Sequence, residues 1–277
     1  MSVKDVLAIM LSASRDEPAL RAAEQLASQF GKRLSVAFLT ALPDEPVAYE
    51  PSVVAGVWAE LLARARQEAG AERAAVEARV AAAGADLRTG EALARDLGRV
   101  AAVHARYSDI AVTSRPKPED IDPRADVIEG VLFYSGRPLL VVPPNWNGGA
   151  IGKRAVLAWD ASREATRALS EADWLIDGSE KVTVLTIAAR SKAFGHGDQP
   201  GENIAAHLRR RGLNADVLNA SSGGRSPAQV LVEEGAKLNA DLIIMGGYHH
   251  ARLREMMFGG ATRDMLAIAN LPLLMAH

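Results

Sequence analysis

The chain of 277 residues contains no cysteine. Thiol nucleophiles, CxxC redox pairs, thiolate metal ligands and disulfide scaffolds are therefore excluded. The chain also lacks a large excess of positive or negative charge. It contains 32 Lys and Arg and 34 Asp and Glu, and its formal net charge is −2. Nucleic-acid binding requires clustered cations that displace counterions from phosphates, so the composition predicts no nucleic-acid partner.

Long hydrophobic runs are also absent, and no stretch approaches the roughly 18–20 apolar residues of a membrane-spanning helix. The apolar run Val6–Leu11 is shorter than the core of a secretory signal, and Asp5 interrupts its flank. Apolar residues make up 48% and charged residues 24%, which is typical of a globular protein. We expect a soluble, cytoplasmic protein without a membrane partner.

Four sequence blocks of the first half recur, in the same order, in the second half. The segments that begin at Val6, Gly31, Ala105 and Arg137 match those that begin at Val156, Ser179, Lys237 and Leu271. Such repetition indicates a tandem duplication, and it predicts domains at residues 1–145 and 150–277. The first copy is the longer one between Pro43 and Gly84, where an Ala/Arg/Glu-rich run from Ser52 predicts one long helix.

Each half alternates short, apolar runs with helical patterns, as parallel strands covered on both faces require. In the second half the predicted strands are Ala155–Trp159, Val182–Ile187, Ala215–Leu218, Leu242–Met245 and Leu273–Met275, and the helices begin near Ser162, Gly201, Ser226 and Gly260. Ser226-Pro227 is typical of an N-cap followed by proline at the first helical position, and Asp122-Pro123 has the same form. We predict an α/β fold with two tandem flavodoxin/Rossmann-like domains, each a five-stranded parallel sheet with helices on both faces.

The ligand crevice of such a sheet lies at the carboxyl ends of the strands, at the switch point between the first and fourth strands. Asp160 follows the first strand of the second half, and Gly246-Gly247 follow the fourth. Further on, Gly259-Gly260-Ala261-Thr262 opens the last helix. Glycines let backbone N–H groups approach a ligand closely, and the free N–H groups of a helix N-terminus favour phosphate.

The repeat and this glycine loop resemble the universal stress protein family in its tandem, two-domain form. The ATP-binding members of that family have glycine, two residues, glycine, nine residues, then glycine followed by Ser or Thr. In this chain Gly246 takes the first place, His249 the second, Gly259 the third and Gly260 the Ser/Thr place. His249 carries a β-carbon where the family has glycine, although its ring would be able to donate to a phosphate.

The resemblance implies an adenine nucleotide alpha hydrolase-like fold and a stress-response sensor or scaffold. It also implies that the second domain binds ATP, ADP or AMP, with magnesium, and that Asp160 meets the nucleoside. Thr262 would replace the missing hydroxyl, while Trp159 would line an adenine pocket or fill core. The candidate nucleotide-binding residues are Trp159, Asp160, Gly246, Gly247, His249, Arg252, Gly259, Gly260, Ala261 and Thr262.

A ligand-dependent mechanism would follow, in which the bound nucleotide orders segment 246–262 and so alters a surface for an unknown protein partner. Two alternatives stay open at this point. One is a ligand-free scaffold that has lost nucleotide binding, and the other is a slow adenine-nucleotide hydrolase assisted by Asp160 or His249. No catalytic constellation is recognisable, so no enzyme is predicted. No metal site is predicted either, because the adjacent side chains of His249 and His250 point in different directions.

The first half lacks the same features. Met10 stands where the second half has Asp160, and the loop after its fourth strand contains Pro116 and Pro118 but no glycine pair. We interpret this half as a non-binding copy. The resemblance implies that the halves pair as an intrachain pseudo-dimer through Leu139–Val142 and Leu273–Met275, and further homo-oligomerisation stays open. Ser221–Ser226 is a second potential anion cradle, which we interpret as a loop at the rim of the crevice.

Overall fold

The computed structural model describes residues 3–45, 51–117, 122–189, 199–247 and 260–277. The chain divides into two compact units, Val3–Arg137 and Pro138–His277. The strands are β1 Asp5–Met10, β2 Arg33–Leu42, β3 Asp86–Leu93, β4 Ile110–Ser114, β5 Leu139–Val142, β6 Arg154–Ala158, β7 Lys181–Ile187, β8 Ala215–Ala220, β9 Leu242–Gly246 and β10 Leu273–Ala276. The helices are α1 Glu17–Phe30, α2 Pro51–Ala82, α3 Leu97–Ala105, α4 Arg124–Tyr134, α5 Arg163–Ile176, α6 Glu202–Arg210, α7 Pro227–Lys237 and α8 Gly260–Ile268, and a short 3-10 helix spans Ala94–Asp96.

The first unit contains a parallel sheet with the strand order β3-β2-β1-β4. Residues Val6–Met10 of β1 are fully buried, because this central strand is covered on both faces. Helix α1 buries alanine and leucine side chains along one face and ends at Gly31, whose φ of 61° is the left-handed conformation that favours glycine.

The second unit has the strand order β5-β10-β9-β6-β7-β8. Its strands run parallel from β10 to β8, whereas β5 pairs antiparallel with β10, with Leu140 opposite Leu274. In this order β6 lies between β9 and β7, so the direction of strand progression reverses at β6. The predicted α/β class, with a mostly parallel sheet flanked by helices, is confirmed.

The division into compact units falls ahead of β5, although the repeat assigns β5 to the first copy. The reason is the ladder between β5 and β10. Contacts and sequence repetition define different boundaries, so the domain limits 1–145 and 150–277 stay a prediction.

Asp109 and Asp241, which align in the repeat, accept equivalent hydrogen bonds in the two units. The Asp109 carboxylate accepts hydrogen bonds from the N–H groups of Lys4 (2.6 Å) and Asp5 (3.1 Å), where β1 begins. In the second unit the Asp241 carboxylate accepts from Gly152 (2.8 Å) and Arg154 (3.1 Å), where β6 begins. Each aspartate therefore ties the start of the fourth strand of its copy to the start of the first.

The helix starts agree closely with the sequence signals. Ser226 caps α7 in a capping box with Gln229, and Pro227 is its first residue, as predicted. For Asp122-Pro123 the prediction was wrong by one residue, because the N-cap of α4 is Pro123 and the helix begins at Arg124. The Asp122 carboxylate still accepts from the Arg124 N–H, at 3.1 Å, so it caps the helix from one residue further out.

Candidate functional site

A cavity of about 360 Å³ opens at the carboxyl ends of β6, β7 and β9 in the second unit. It lies at the predicted switch point, and its size falls within the range of small-molecule pockets. The lining residues come from the strand ends, the loops that follow them and the first turns of α7 and α8: Ala158, Trp159, Asp160, Leu185, Ile187, Ala188, Ser222, Pro227, Leu231, Met245, Gly246 and Ala261.

The wall of this cavity is largely apolar. Leu185, Ile187 and Leu231 contribute aliphatic side chains, and Trp159 contributes an indole. Trp159 is half-buried, and its backbone N–H donates to the Leu185 carbonyl at 2.9 Å. Asp160 is the one ionisable side chain among the described lining residues, and it is exposed at the rim. The described wall thus suits a flat, apolar ring system with a hydroxyl or amino group at its edge.

The position of Asp160 is fixed by a short chain of hydrogen bonds. Its Oδ1 accepts from the Ser162 N–H at 3.0 Å, and the Ser162 hydroxyl in turn accepts from the Ala165 N–H at 3.0 Å as the N-cap of α5. Between them Ala161 has a φ of 59°, a conformation that residues with a β-carbon rarely adopt. Ala188, a lining residue directly after β7, has a φ of 47°. Two strained alanines therefore shape the rim, as is common at functional sites.

Gly246 lines the cavity and also has a structural role that the sequence did not predict. A β-carbon on Gly246 would lie 2.7 Å from the backbone nitrogen of Ala165 and from the carbonyl carbon of Glu164. The glycine is thus required by the close approach of α5, in addition to lining the cavity. Gly247 uses its N–H in the sheet, where it donates to the Ala276 carbonyl at 2.9 Å, and this N–H is not offered to a ligand.

The three candidate residues at the start of α8, Gly260, Ala261 and Thr262, differ in whether they are exposed and whether they line the cavity. Ala261 is exposed and lines the cavity, and a β-carbon on Gly260 would meet no heavy atom of the described residues within 4 Å. Thr262 is only 3% exposed and is not among the cavity-lining residues. The suggestion that its hydroxyl substitutes for the missing one therefore has no geometric support in this structure. His249, Arg252 and Gly259 lie outside the described residues.

Ser221–Ser226 is located at the rim, since Ser222 lines the cavity. Arg225 is directed toward the loop itself. Its side chain donates to the carbonyls of Ser221 (3.0 Å) and Ser222 (3.1 Å) and forms an ion pair with Glu233. The arginine thus stabilises the turn and is not aimed at an anion in the crevice.

The corresponding crevice of the first unit has a volume of about 340 Å³. Met10 is fully buried within β1 and offers no polar group to it. Sequence reasoning missed the groups that surround this crevice. Arg124, 3% exposed, binds the Asp16 carboxylate through two hydrogen bonds of 2.7 Å and the Asp122 carboxylate through one of 3.0 Å. Arg124, Asp16 and Asp122 form a buried ionic cluster, and the exposed Arg15 pairs with Asp122 at 2.7 Å from outside it.

The charged groups of this cluster shift one another's pKa values. Burial alone raises the pKa of Asp122, but the charge of Arg124 and hydrogen bonds from Arg124 and Lys117 outweigh that effect, so its pKa is lowered. Burial opposes the charge of Arg124, yet its two carboxylate partners raise the pKa of the guanidinium. The only sequence signal for the cluster was the presence of charged residues at two helix starts, Arg15-Asp16 before α1 and Asp122-Pro123-Arg124 at α4, which does not reveal that they meet.

Within the described ranges, no three His, Asp or Glu side chains gather as metal ligands. His196, His249 and His250 fall outside those ranges. Nor does any helix in the described part of the chain combine the length and hydropathy needed to span a membrane.

Residues 152–277 match the model of the universal stress protein family. A universal stress protein from Archaeoglobus fulgidus DSM 4304 is 14% identical, with 98% of this chain and 95% of that chain covered and a TM-score of 0.66. A putative universal stress protein from Pseudomonas aeruginosa UCBPP-PA14 is 14% identical over 99% and 93%, with a TM-score of 0.54. At these identities the likeness to solved structures shows the fold.

A third structure, a functionally unknown protein from Pseudomonas aeruginosa PAO1, is 15% identical over 99% of this chain and 92% of that chain, with a TM-score of 0.54. The search of curated proteins finds no significant match. The resemblance predicted from the repeat and the glycine loop is confirmed.

Proposed function

We propose that the protein, whose residues 152–277 match the universal stress protein family model, is a stress-response sensor or scaffold that binds one adenine nucleotide. The site is the cavity at the carboxyl ends of β6, β7 and β9. The ligand is ATP, ADP or AMP, with magnesium when the phosphate chain is long enough to chelate it.

The observation that carries this proposal is the composition of the described wall. Apolar side chains of Leu185, Ile187 and Leu231, together with Trp159, surround a space that a purine ring would fill. Asp160 stands at the edge, and a carboxylate there would accept hydrogen bonds from ribose hydroxyls. Because Ser162 holds Asp160 in place, the carboxylate is oriented before the ligand arrives.

The phosphate end of the nucleotide would lie toward α8. This helix begins at Gly260, next to the lining residue Ala261. The first four N–H groups of a helix have no intrahelical partner, and the helix dipole favours negative charge there. His249 and Arg252, predicted from the sequence to assist, would add donors and positive charge that the described wall lacks.

A role as a sensor requires that the occupied and empty states differ in their affinity for a partner. Segment 248–259 joins two lining residues, Gly246 on β9 and Ala261 on α8. A ligand that contacts both Gly246 and Ala261 would therefore link the occupancy of the cavity to the conformation of segment 248–259. The partner itself, like the intrachain pseudo-dimer, stays a prediction.

The proposal is tested by identifying any nucleotide bound to the purified protein and by measuring which added nucleotides it binds. Heat-released small molecules would be identified by chromatography, and thermal shifts would be measured with AMP, ADP and ATP, with and without magnesium. We expect a concentration-dependent rise in Tm with at least one of these nucleotides. No released nucleotide and no shift with any of them would favour the ligand-free scaffold.

Two variants separate specific from incidental binding. Asp160→Asn keeps an oxygen that accepts from the Ser162 N–H but removes the charge that faces the ribose, and Ala158→Phe fills the cavity. Both should weaken binding at least tenfold. Asp177→Asn, an exposed aspartate at the end of α5, is the matched control and should bind as the natural protein does. Equal binding by all three variants would overturn the assignment of the site.

A further inference from the structure

The crevice of the first unit is partly covered by α2, for which the described residues of the second unit contain no counterpart. Its lining includes Ser12 and Arg15 after β1, Thr40 at the end of β2 and Arg124 at the start of α4. In the repeat Thr40 aligns with Ala188, which lines the cavity of the second unit. The remaining wall comes from α2, through Ala65, Glu68, Ala69 and Glu72. The two crevices are thus equivalent in position, and α2 supplies part of the wall of the first.

The N–H groups of the loop after β1 are already occupied by carboxylates. The Asp16 Oδ2 accepts from the N–H groups of Leu11 (2.7 Å) and Ser12 (2.9 Å). The Glu72 Oε2 accepts from the Ser12 hydroxyl at 3.1 Å and from the Ala13 N–H. Glu72 reaches these donors across 60 positions of sequence, and it does so from the helix that covers the crevice.

Several other contacts hold α2 in this position. Val76 and Val80 are only 2% and 3% exposed, although most of the helix faces solvent. Arg79 pairs with Glu17 (3.0 Å) and Glu24 (2.8 Å) on α1. Arg66 pairs with Glu91 on β3 at 2.7 Å. Helix α2 is therefore anchored on both sides of Glu72.

We propose that α2 is an internal lid and that Glu72 is the built-in occupant of an oxyanion position in the first unit. Its carboxylate takes up the Ser12 and Ala13 donors after β1, at the position that corresponds to the Asp160–Ser162 loop of the second unit, and so competes with any ligand for these donors. Truncating Glu72 would vacate the position. Arg15 and Arg124 are balanced there by Asp16 and Asp122, and the freed Ser12 hydroxyl and Ala13 N–H would donate to an oxyanion such as inorganic phosphate.

The test compares three variants of the full chain, with Glu77→Ala as the matched control because Glu77 is exposed on the same helix. Amide hydrogen exchange at Ala13 should be at least tenfold faster in Glu72→Ala than in Glu77→Ala. Phosphate, compared with chloride at equal ionic strength, should raise the Tm of Glu72→Ala and slow that exchange. Glu72→Gln keeps the position filled, so it should show faster exchange than the natural protein but no phosphate effect.

The proposal is overturned if exchange at Ala13 is the same in Glu72→Ala and Glu77→Ala, or if phosphate affects the natural protein and both alanine variants alike. Should Glu72→Ala fail to fold, the comparison of Glu72→Gln with the natural protein decides, and unchanged exchange at Ala13 would contradict the role of the carboxylate. The probe is inorganic phosphate and the readout is an amide of the first unit. The result is therefore independent of whether the second unit binds a nucleotide.

Discussion

Gly130 of α4 packs directly against Gly98 of α3, and a β-carbon on Gly130 would overlap the Gly98 carbonyl. This pair lets the two helices approach closely in the first unit. The sequence offered no such role for Gly130, which lies within a helical pattern where glycine costs roughly 1 kcal/mol relative to alanine.

Gly130→Ala should therefore destabilise the protein by about 1–3 kcal/mol, because an added methyl group must push the backbones of the two helices apart. Urea unfolding followed by circular dichroism would measure the change. Gly70→Ala on α2 is the control, since a β-carbon there meets nothing within 4 Å and alanine favours the helix. The close packing would be disproved if the two substitutions had the same effect.

Gly246 and Gly260 offer a second contrast within the glycine loop. Gly246→Ala should lower the free energy of unfolding by about 1–3 kcal/mol even without ligand, because its β-carbon would meet the backbone of α5. Gly260→Ala should change stability by less than about 1 kcal/mol, since none of the described residues comes within 4 Å of the added β-carbon. Thermal unfolding of the ligand-free variants distinguishes them. If both were neutral, Gly246 would be needed only for the ligand.

Removal of Arg124 tests the buried ionic cluster. Arg124→Met would leave the carboxylates of Asp16 and Asp122 buried without their main partner, and we expect a loss of about 3–5 kcal/mol. Arg64→Met, which removes an exposed pair with Glu68, should cost less than about 1 kcal/mol. Urea unfolding at pH 7 compares the two. Similar losses for both variants would show that the cluster contributes no more than a surface pair.

The pH dependence follows from Asp122, whose folded-state pKa is lowered. The stabilisation it supplies is fully present above the unfolded pKa of an aspartate, near 3.9, and is lost as the pH falls through the lower folded pKa. The free-energy difference between the natural protein and Asp122→Asn should therefore be largest at neutral pH and shrink below about pH 4. Urea unfolding at a series of pH values measures it. A difference that stays constant down to pH 3 would contradict the lowered pKa.

Local signals in the sequence predicted the elements well. Helix starts near Ser162, Ser226 and Gly260 were correct to within a residue, because caps, prolines and glycines act over one turn of chain. The strand ends differed by one or two residues. The repeat also located the strand ends from which Trp159, Asp160 and Gly246 line the cavity.

The features that sequence reasoning missed are contacts between distant segments. The long helix predicted from Ser52 is α2, but nothing in its composition shows that Glu72 meets the loop after β1. Gly246 was interpreted by its proximity to a ligand, whereas its nearest neighbour is α5. Thr262 was chosen by its chemistry, and only the packing of α8 shows that it is buried. These contacts depend on which helices and strands pack together in three dimensions, and that packing cannot be deduced from a single sequence.

The most direct test of the central claim is the stoichiometry of nucleotide binding to the full chain, measured by calorimetry with ATP and magnesium after any bound nucleotide has been removed. The account predicts one nucleotide per chain, at least tenfold weaker binding by Asp160→Asn, and unchanged binding by Glu77→Ala. Two nucleotides per chain, or none, would contradict it.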